Sequence, residues 1–142
     1  MNKYLLDTNV LLDLFLKRLP WAADMAVIWN AHRQGKIRAL VAAFSLPTIY
    51  YLVRKQASKT TAKTVVQACL STLDIGLVDQ ATLLAAQALS GTDFEDDLQI
   101  ACAVQVGVDG IVTRDPRGFA AAPIPVFTPA ELVVLLSVPP GP

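Results

Sequence analysis

Short apolar runs alternate along this chain with longer stretches of helical periodicity, and that alternation leaves few folds open. Tyr4-Leu5-Leu6 has the character of a strand buried on both faces, and Asp7-Thr8-Asn9 ends it. Val10 to Leu16 reads as a helix, and a second helix begins after Pro20 and runs to about Gln34, where Gly35 stops it. Ile37 to Ala43 is the next strand candidate. Ser45 reads as an N-cap, with Pro47 in the first turn of a helix through Tyr50, Val53 and Arg54. Thr60 to Leu73 carries a helical pattern of Val65, Val66, Cys69, Leu70 and Leu73; Ile75 to Val78 is a short strand, and Gln80 to Leu89 an Ala/Leu-rich helix. After the break at Gly91-Thr92, either Thr92 or Asp93 can cap a helix that continues to Val106, before Gly107. Gly110 to Thr113 is a strand ending at Arg114-Asp115, Pro125 to Thr128 a last strand, and Pro129 to about Leu136 a last helix. Such alternation predicts an α/β fold of three layers, with a central, mostly parallel sheet of four to five strands and helices on both faces. Residues 1–137 are expected to form one domain, and the Pro/Gly-rich residues 138–142 a disordered tail.

This topology says where to look for chemistry. In open α/β sheets, ligands bind beyond the carboxyl ends of the strands. Asp7 directly follows the first strand and Asp115 lies two residues past Thr113, so both should fall at one edge of the sheet. An aspartate after a strand is also a common helix cap, and that reading stays open for either residue taken alone. The sharper signal is Asp93-Phe94-Glu95-Asp96-Asp97, which sets like charges three and four residues apart on a helix, with no Lys or Arg between Lys63 and Arg114. Acids in a first helical turn favour the macrodipole, which accounts for Asp93 and Glu95. Asp96, about a turn in and beside the apolar Leu98, Ile100 and Ala101, is harder to explain that way. A divalent cation would compensate several such carboxylates at once. Oxygen ligands without His or Cys partners point to Mg²⁺ or Mn²⁺ and away from zinc.

Other chemistries have few residues to draw on. His32 is the sole histidine and lies in a polar stretch that reads as a helix end, so it is expected to be structural and solvent-exposed. Cys69 and Cys102 are far apart in apolar helical patterns and read as two buried thiols. At 54% hydrophobic and 17% charged residues the chain is no disordered protein. Its longest charge-free run, the 15 residues from Ala39 to Val53, is too short to span a bilayer and contains Pro47. Asp7 and Asp13 interrupt what would be the apolar region of a signal peptide, so a soluble, cytoplasmic protein is expected. The formal net charge is zero but unevenly spread. Residues 1–63 hold ten Lys/Arg against three acids (+7), and residues 64–113 hold seven acids and no Lys or Arg (−7). An acidic metal centre beside a basic phosphate-binding surface fits that asymmetry; so do ordinary solvated faces.

The motifs together resemble a known family. Tyr4 to Asp13, YLLDTNVLLD, is similar to the opening strand of PIN domains, and Ala43 to Lys55 resembles their second motif. Asp93 to Ala103, DFEDDLQIACA, resembles the third, and Ile111 to Phe119, IVTRDPRGF, the fourth. The resemblance spans Met1 to about Leu136, is closest to the VapC-like toxin ribonucleases, and implies a PIN-like fold. It implies that Asp7, Asp96 and Asp115 are metal ligands and catalytic residues, with Asp93 a neighbour able to hold a metal-bound water. Asn9 and Thr113 take supporting positions. Many PIN nucleases carry a glutamate where Thr48 stands, and this chain has no acid from Gly35 to Leu73. A branch with Asn or a similar residue there, and the same Tyr-Tyr-x-x-Arg-Lys continuation, is the nearer match; Thr48 is then a supporting residue, and a second metal is in question.

The expectation that follows is a Mg²⁺- or Mn²⁺-dependent endoribonuclease, the toxin of a type II toxin–antitoxin pair. By resemblance it is a homodimer silenced by a small antitoxin protein and acts on a structured RNA such as tRNA, leaving a 3′-hydroxyl and a 5′-phosphate. Arg54, Lys55, Lys59, Lys63 and Arg114 are candidate phosphate contacts, or simply a solvated face. Ile49, Tyr50, Tyr51, Leu52 and Val53 are expected at the core and helix interfaces, with base stacking by the tyrosines the lesser alternative. The rival reading is a catalytically weak or inactive PIN domain that binds RNA or protein. A phosphatase or phosphoreceiver built on Asp7 wants a late lysine, and none follows Lys63.

Overall fold

A computed structural model describes residues 1–89, 91 and 93–139. Its element order is β1 (Lys3–Leu6), α1 (Thr8–Phe15), α2 (Trp21–Arg33), β2 (Arg38–Ala42), α3 (Ser45–Gln56), α4 (Lys59–Thr72), β3 (Asp74–Gly76), α5 (Gln80–Ala88), α6 (Phe94–Val106), β4 (Gly110–Val112), a 3-10 turn (Pro116–Phe119), β5 (Val126–Phe127) and α7 (Pro129–Ser137). The five strands form one sheet in the order β3-β2-β1-β4-β5, and every pairing is parallel. The expected "mostly parallel" sheet is therefore wholly parallel. Residue 92 and residues 140–142, which bear on a possible Thr92 cap and on the tail, lie outside the described residues.

Alternation along the strands feeds two cores. Tyr4 and Leu6 of β1, with Ala39 and Val41 of β2, point to one face and pack with residues of α1, α2, α3, α4 and α7. Leu5, Leu40 and Ile111 point to the other face and pack with Ile100, Cys102 and Ala103 of α6. Beyond them α5 closes on α6 through Ala86, Leu98 and Ala101. Both cysteines are buried and unbridged, as expected. Helix α6 ends where Gly107 takes φ 80°, a left-handed conformation that suits glycine. No helix among the described residues is long and apolar enough to cross a membrane.

The strand order also fixes the position of the site. From β1 the chain steps outward to β2 and β3, then returns past β1 to β4 and β5. The reversal falls between β1 and β4, and the crevice at their carboxyl ends is where such sheets bind ligands. Leu6 pairs with Val112, so Asp7 and Thr113 leave the sheet side by side.

Three local expectations need correction. His32 is not exposed. It shares the inward face of α2 with Met25 and Ile28, and its ring is buried between β2 and α4. Nδ1 accepts from the Ala39 backbone N–H at 2.9 Å, so Nε2 carries the hydrogen and donates to the Thr72 carbonyl at 2.6 Å. Ser45 is not a cap: Phe44 holds that position without a side-chain bond, and the Ser45 hydroxyl turns inward. In the Ile49–Val53 run, Ile49 and Val53 are buried and Tyr50 and Leu52 half-buried, but Tyr51 is 64% exposed. Leu70 of α4 likewise faces out, while Val65, Cys69 and Leu73 face in.

The His32 bridge can be tested by stability. His32→Ala strands a buried N–H and a carbonyl at once and should cost about 2–4 kcal/mol in urea unfolding. An unchanged midpoint would mean that the two groups find other partners.

Candidate active site

Each carboxylate arrives at the crevice by a different route. Asp7 occupies the cap position of α1 but does not cap it. Its carboxylate, buried with 6% of the residue exposed, accepts from Thr113 Oγ1 at Oδ2 (3.0 Å), with Gln99 Nε2 farther off at Oδ1 (3.4 Å). Thr113 is itself buried and also accepts from the Asp115 backbone N–H at 3.2 Å, so one hydroxyl links two of the expected ligands. Asp115 starts the 3-10 turn without a side-chain cap bond; its side chain is two-thirds exposed and faces Arg117 Nε at 3.5 Å. Capping therefore accounts for neither Asp7 nor Asp115. It does account for Asp93, whose Oδ1 accepts from the Asp96 backbone N–H at 3.1 Å and starts α6.

Asp96 stands in the first turn of α6, half-buried against the 3-10 turn. A Cβ at Gly118 would come within 2.6 Å of its Oδ2, so that glycine lets the two segments meet. Asp97 points elsewhere and is buried against Gly91. Asp7, Thr8, Asn9, Thr48, Leu52, Asp93, Glu95, Asp96 and Gln99 line one cleft of about 160 Å³. A larger groove of about 420 Å³ between α5 and α6 is lined by apolar residues with only Gln105 polar, so the chemistry belongs to the smaller cleft. Among the candidate cations, Arg54, Lys55 and Lys59 are exposed. Arg114 instead bonds Asp13 Oδ1 at 3.3 Å and lies 4.5 Å above the Trp21 ring.

Four supporting residues, Gln99, Thr8, Ser45 and Asp13, escaped the sequence reading. Gln99 Nε2 donates to Thr8 Oγ1 (3.1 Å) and Ser45 Oγ (3.0 Å), and Thr8 Oγ1 donates to Ser45 Oγ at 2.8 Å. This tie joins α1, α3 and α6 behind Asp7. Gln99 follows Asp96 by three residues, so its place on the same helix face was available from spacing alone. Asp13, wholly buried, gathers both Arg114 and Arg18 (3.6 Å). Nothing in the sequence paired it with an arginine a hundred residues away.

Electrostatics set the character of the cleft. Burial pushes the Asp7 carboxyl from the usual 3.8 up to about 6; the Thr113 bond, the Thr8 backbone and Arg114 pull the other way, and Asp93 adds to the rise. Asp96 is also pushed up to about 6, by burial first and then by Asp93, Asp7, Asp115 and Asp97. A divalent cation fits this donor set, because all the donors are carboxylate oxygens whose mutual repulsion it would relieve. Among the described residues, no three His, Cys, Asp or Glu side chains stand close enough, as placed, to enclose an ion. The acids line a cleft open to a metal instead of forming a finished cage.

Comparison with known proteins bears on this arrangement. A family profile described as "PIN domain" matches residues 3–117. No curated protein matches the chain by sequence. The fold is similar to VapC20 of Mycobacterium tuberculosis, a sarcin-ricin loop cleaving toxin, at 12% identity and TM-score 0.68, covering 83% of this chain and 94% of that one. It is similar to the DNA-bound VapBC of Salmonella typhimurium at 20% identity and TM-score 0.67 (89% and 97% covered). A toxin–antitoxin complex from Klebsiella pneumoniae matches at 21% and 0.65 (90% and 98%).

Acid should stabilise the metal-free protein. Carboxyls with folded pKa near 6 and unfolded pKa near 3.8 contribute stability that is full below the unfolded value and is lost as pH rises through 6. Between pH 7.5 and 5.5 in EDTA, Asp7 should add about 1 kcal/mol, a rise of a few degrees in Tm, and Asp96, more open to solvent and screened by it, should add less in the same direction. Asp7→Asn with Asp96→Asn should flatten that slope; an equally steep slope in the double variant would assign it to other groups.

Proposed function

The chain belongs to the PIN-domain family, and on that footing we propose that it is a metal-dependent endoribonuclease acting as the toxin of a toxin–antitoxin pair. The observation that carries this reading is the cleft lined by Asp7, Asp93 and Asp96, in which Asp7 and Asp96 are both raised to about 6 and Asp7 is tied through Thr113 to the Asp115 backbone. Asp7, Asp96 and Asp115 would hold Mg²⁺ or Mn²⁺, with Asp93 beside them. The metal, when bound, supplies Lewis-acid stabilisation of charge on a phosphodiester and lowers the pKa of the attacking water.

The chain's own residues do the rest. Thr113 fixes Asp7 through Oδ2 at 3.0 Å, and Gln99 reaches Oδ1 only at 3.4 Å, so Oδ1 is the less satisfied oxygen. The Gln99–Thr8–Ser45 tie keeps α1, α3 and α6 from shifting as charge develops. The exposed cations of α3 and α4, Arg54, Lys55 and Lys59, offer phosphate contacts, and with no base-specific motif in the chain, specificity falls to shape and surface charge. A small antitoxin partner belongs to the same proposal, supported by structural relatives that are toxin–antitoxin complexes. So do a tRNA or other structured RNA as substrate, a homodimer and a cytoplasmic site of action, which rest on the family resemblance alone.

Thr48 favours a second reading. It lines the cleft at the position where many PIN nucleases carry glutamate, which would make this domain catalytically weak, or a binding module. Incubating total tRNA and a single-stranded RNA with the purified protein in Mg²⁺, Mn²⁺ or EDTA separates the two. Metal-dependent cutting that Asp96→Asn lowers by about a hundredfold or more is expected for the nuclease. No cutting, and no heat of Mn²⁺ binding by calorimetry, would leave the binding module. Thr48→Glu should tighten Mn²⁺ binding, since it adds a carboxylate to the cleft; unchanged affinity would mean that position 48 does not reach the ion.

A further inference from the structure

Helix α3 carries a surface feature that the carboxylate site does not use. Tyr51 is 64% exposed, whereas Tyr50 packs against the core. With Arg54 and Lys55 it bounds a depression of about 300 Å³. Tyr51 follows Thr48 by three residues and Lys55 follows Leu52 by three, so each is the helical neighbour of a residue lining the carboxylate cleft. At 1.5 Å per residue, Tyr51 lies about 4.5 Å along the helix from Thr48. The depression therefore lies next to the cleft along α3.

Its charge is opposite to that of the cleft. Neither α3 nor α4 contains an acid. The four ion pairs among the described residues use Arg18, Arg38, Arg114 and Arg117, which leaves Arg54, Lys55, Lys59 and Lys63 in none. A phosphate held in an acidic cleft needs its neighbouring phosphates neutralised elsewhere, and these cations stand next along the path. An exposed ring beside unpaired cations offers a stacking face for a base and charges for its backbone.

We infer that Tyr51, Arg54 and Lys55 form a positioning subsite for single-stranded RNA flanking the scissile phosphate, in which a base stacks on Tyr51 and its phosphates lie against Arg54 and Lys55. The inference rests on the nuclease reading of the carboxylate cleft. Because every base has a stacking face, this subsite raises affinity without selecting a sequence.

The test uses the full chain with Asp96→Asn, which keeps bound RNA uncut, and a fluorescein-labelled single-stranded oligoribonucleotide followed by anisotropy over a salt series. Tyr51→Ala should weaken binding about tenfold, while Tyr51→Phe and Tyr51→Trp, which keep a stacking face, stay within about twofold. Arg54→Ala and Lys55→Ala should each lower the slope of log affinity against log salt by about 0.7. In the enzyme with Asp96 intact, Tyr51→Ala should raise KM and leave kcat unchanged. Equal affinity of the Tyr51→Ala and parent proteins overturns the subsite and leaves the nuclease standing. Tyr51→Phe binding as poorly as Tyr51→Ala overturns stacking in favour of the hydroxyl. A shift in oligomeric state by sedimentation, with RNA affinity unchanged, assigns the face to protein contact and also overturns it. If the Asp96→Asn protein binds no RNA and the wild type cuts none, the nuclease reading falls and takes the subsite with it.

Discussion

The carboxylate of Asp7, buried at the end of the central strand, is the constraint around which the site is arranged. Removing an ionised carboxylate from water costs several kcal/mol unless partners or a cation compensate. Here the compensation is incomplete: Thr113 gives one good hydrogen bond, Gln99 a longer contact, and the carboxyl still sits near 6. The fold brings distant segments together to achieve even that. Pairing of β1 with β4 delivers Thr113, α6 delivers Gln99, and α3 delivers the Ser45 hydroxyl behind them. What they leave uncompensated is a desolvated carboxylate, and Asp96 is raised in the same way.

The same logic governs the arginines. Arg114 immediately precedes Asp115, and its charge lowers the Asp7 pKa. Yet its guanidinium is tied to the buried Asp13 and stacked over Trp21, so it steadies the cleft wall without neutralising the acids inside. Had Arg114 paired with Asp7 directly, the Asp7 carboxyl would not stand raised to about 6. The unequal charge of the two halves of the sequence is spent in more than one way. Arg38 pairs across strands with Asp74 through two bonds at 2.9 and 2.6 Å, which is structural, while among the described residues the cations of α3 and α4 enter no ion pair.

The alternation of elements, the buried Tyr4–Leu6 run of β1 and the aspartates at strand ends were legible because they depend on local periodicity and on a general rule of open sheets. Asp7, Asp93 and Asp96 line one cleft, whereas Asp115 is tied to Asp7 only through its backbone N–H and Thr113, with its carboxylate turned to Arg117. His32 was misread because polar neighbours in sequence say little about a side chain whose helical register faces inward. Tyr51 was misread for the converse reason: a run of five apolar or aromatic residues cannot all face one side of a helix. Ser45 looked like a cap because caps are local, whereas its actual partners, Thr8 and Gln99, lie 37 and 54 residues away.

By itself the sequence determined the kind of fold and the chemical kind of site, since strand alternation, helix periodicity and a set of aspartates with no compensating bases between them are properties of adjacent residues. Tertiary structure alone decided which polar groups compensate which. The single bond between Thr113 and Asp7, the tie of Gln99 to Ser45 and Thr8, and the capture of Arg114 by Asp13 join residues far apart in the chain. Such contacts arise because a desolvated charge must take its partners from whatever the packed elements bring within about 3 Å, and no local pattern records that choice.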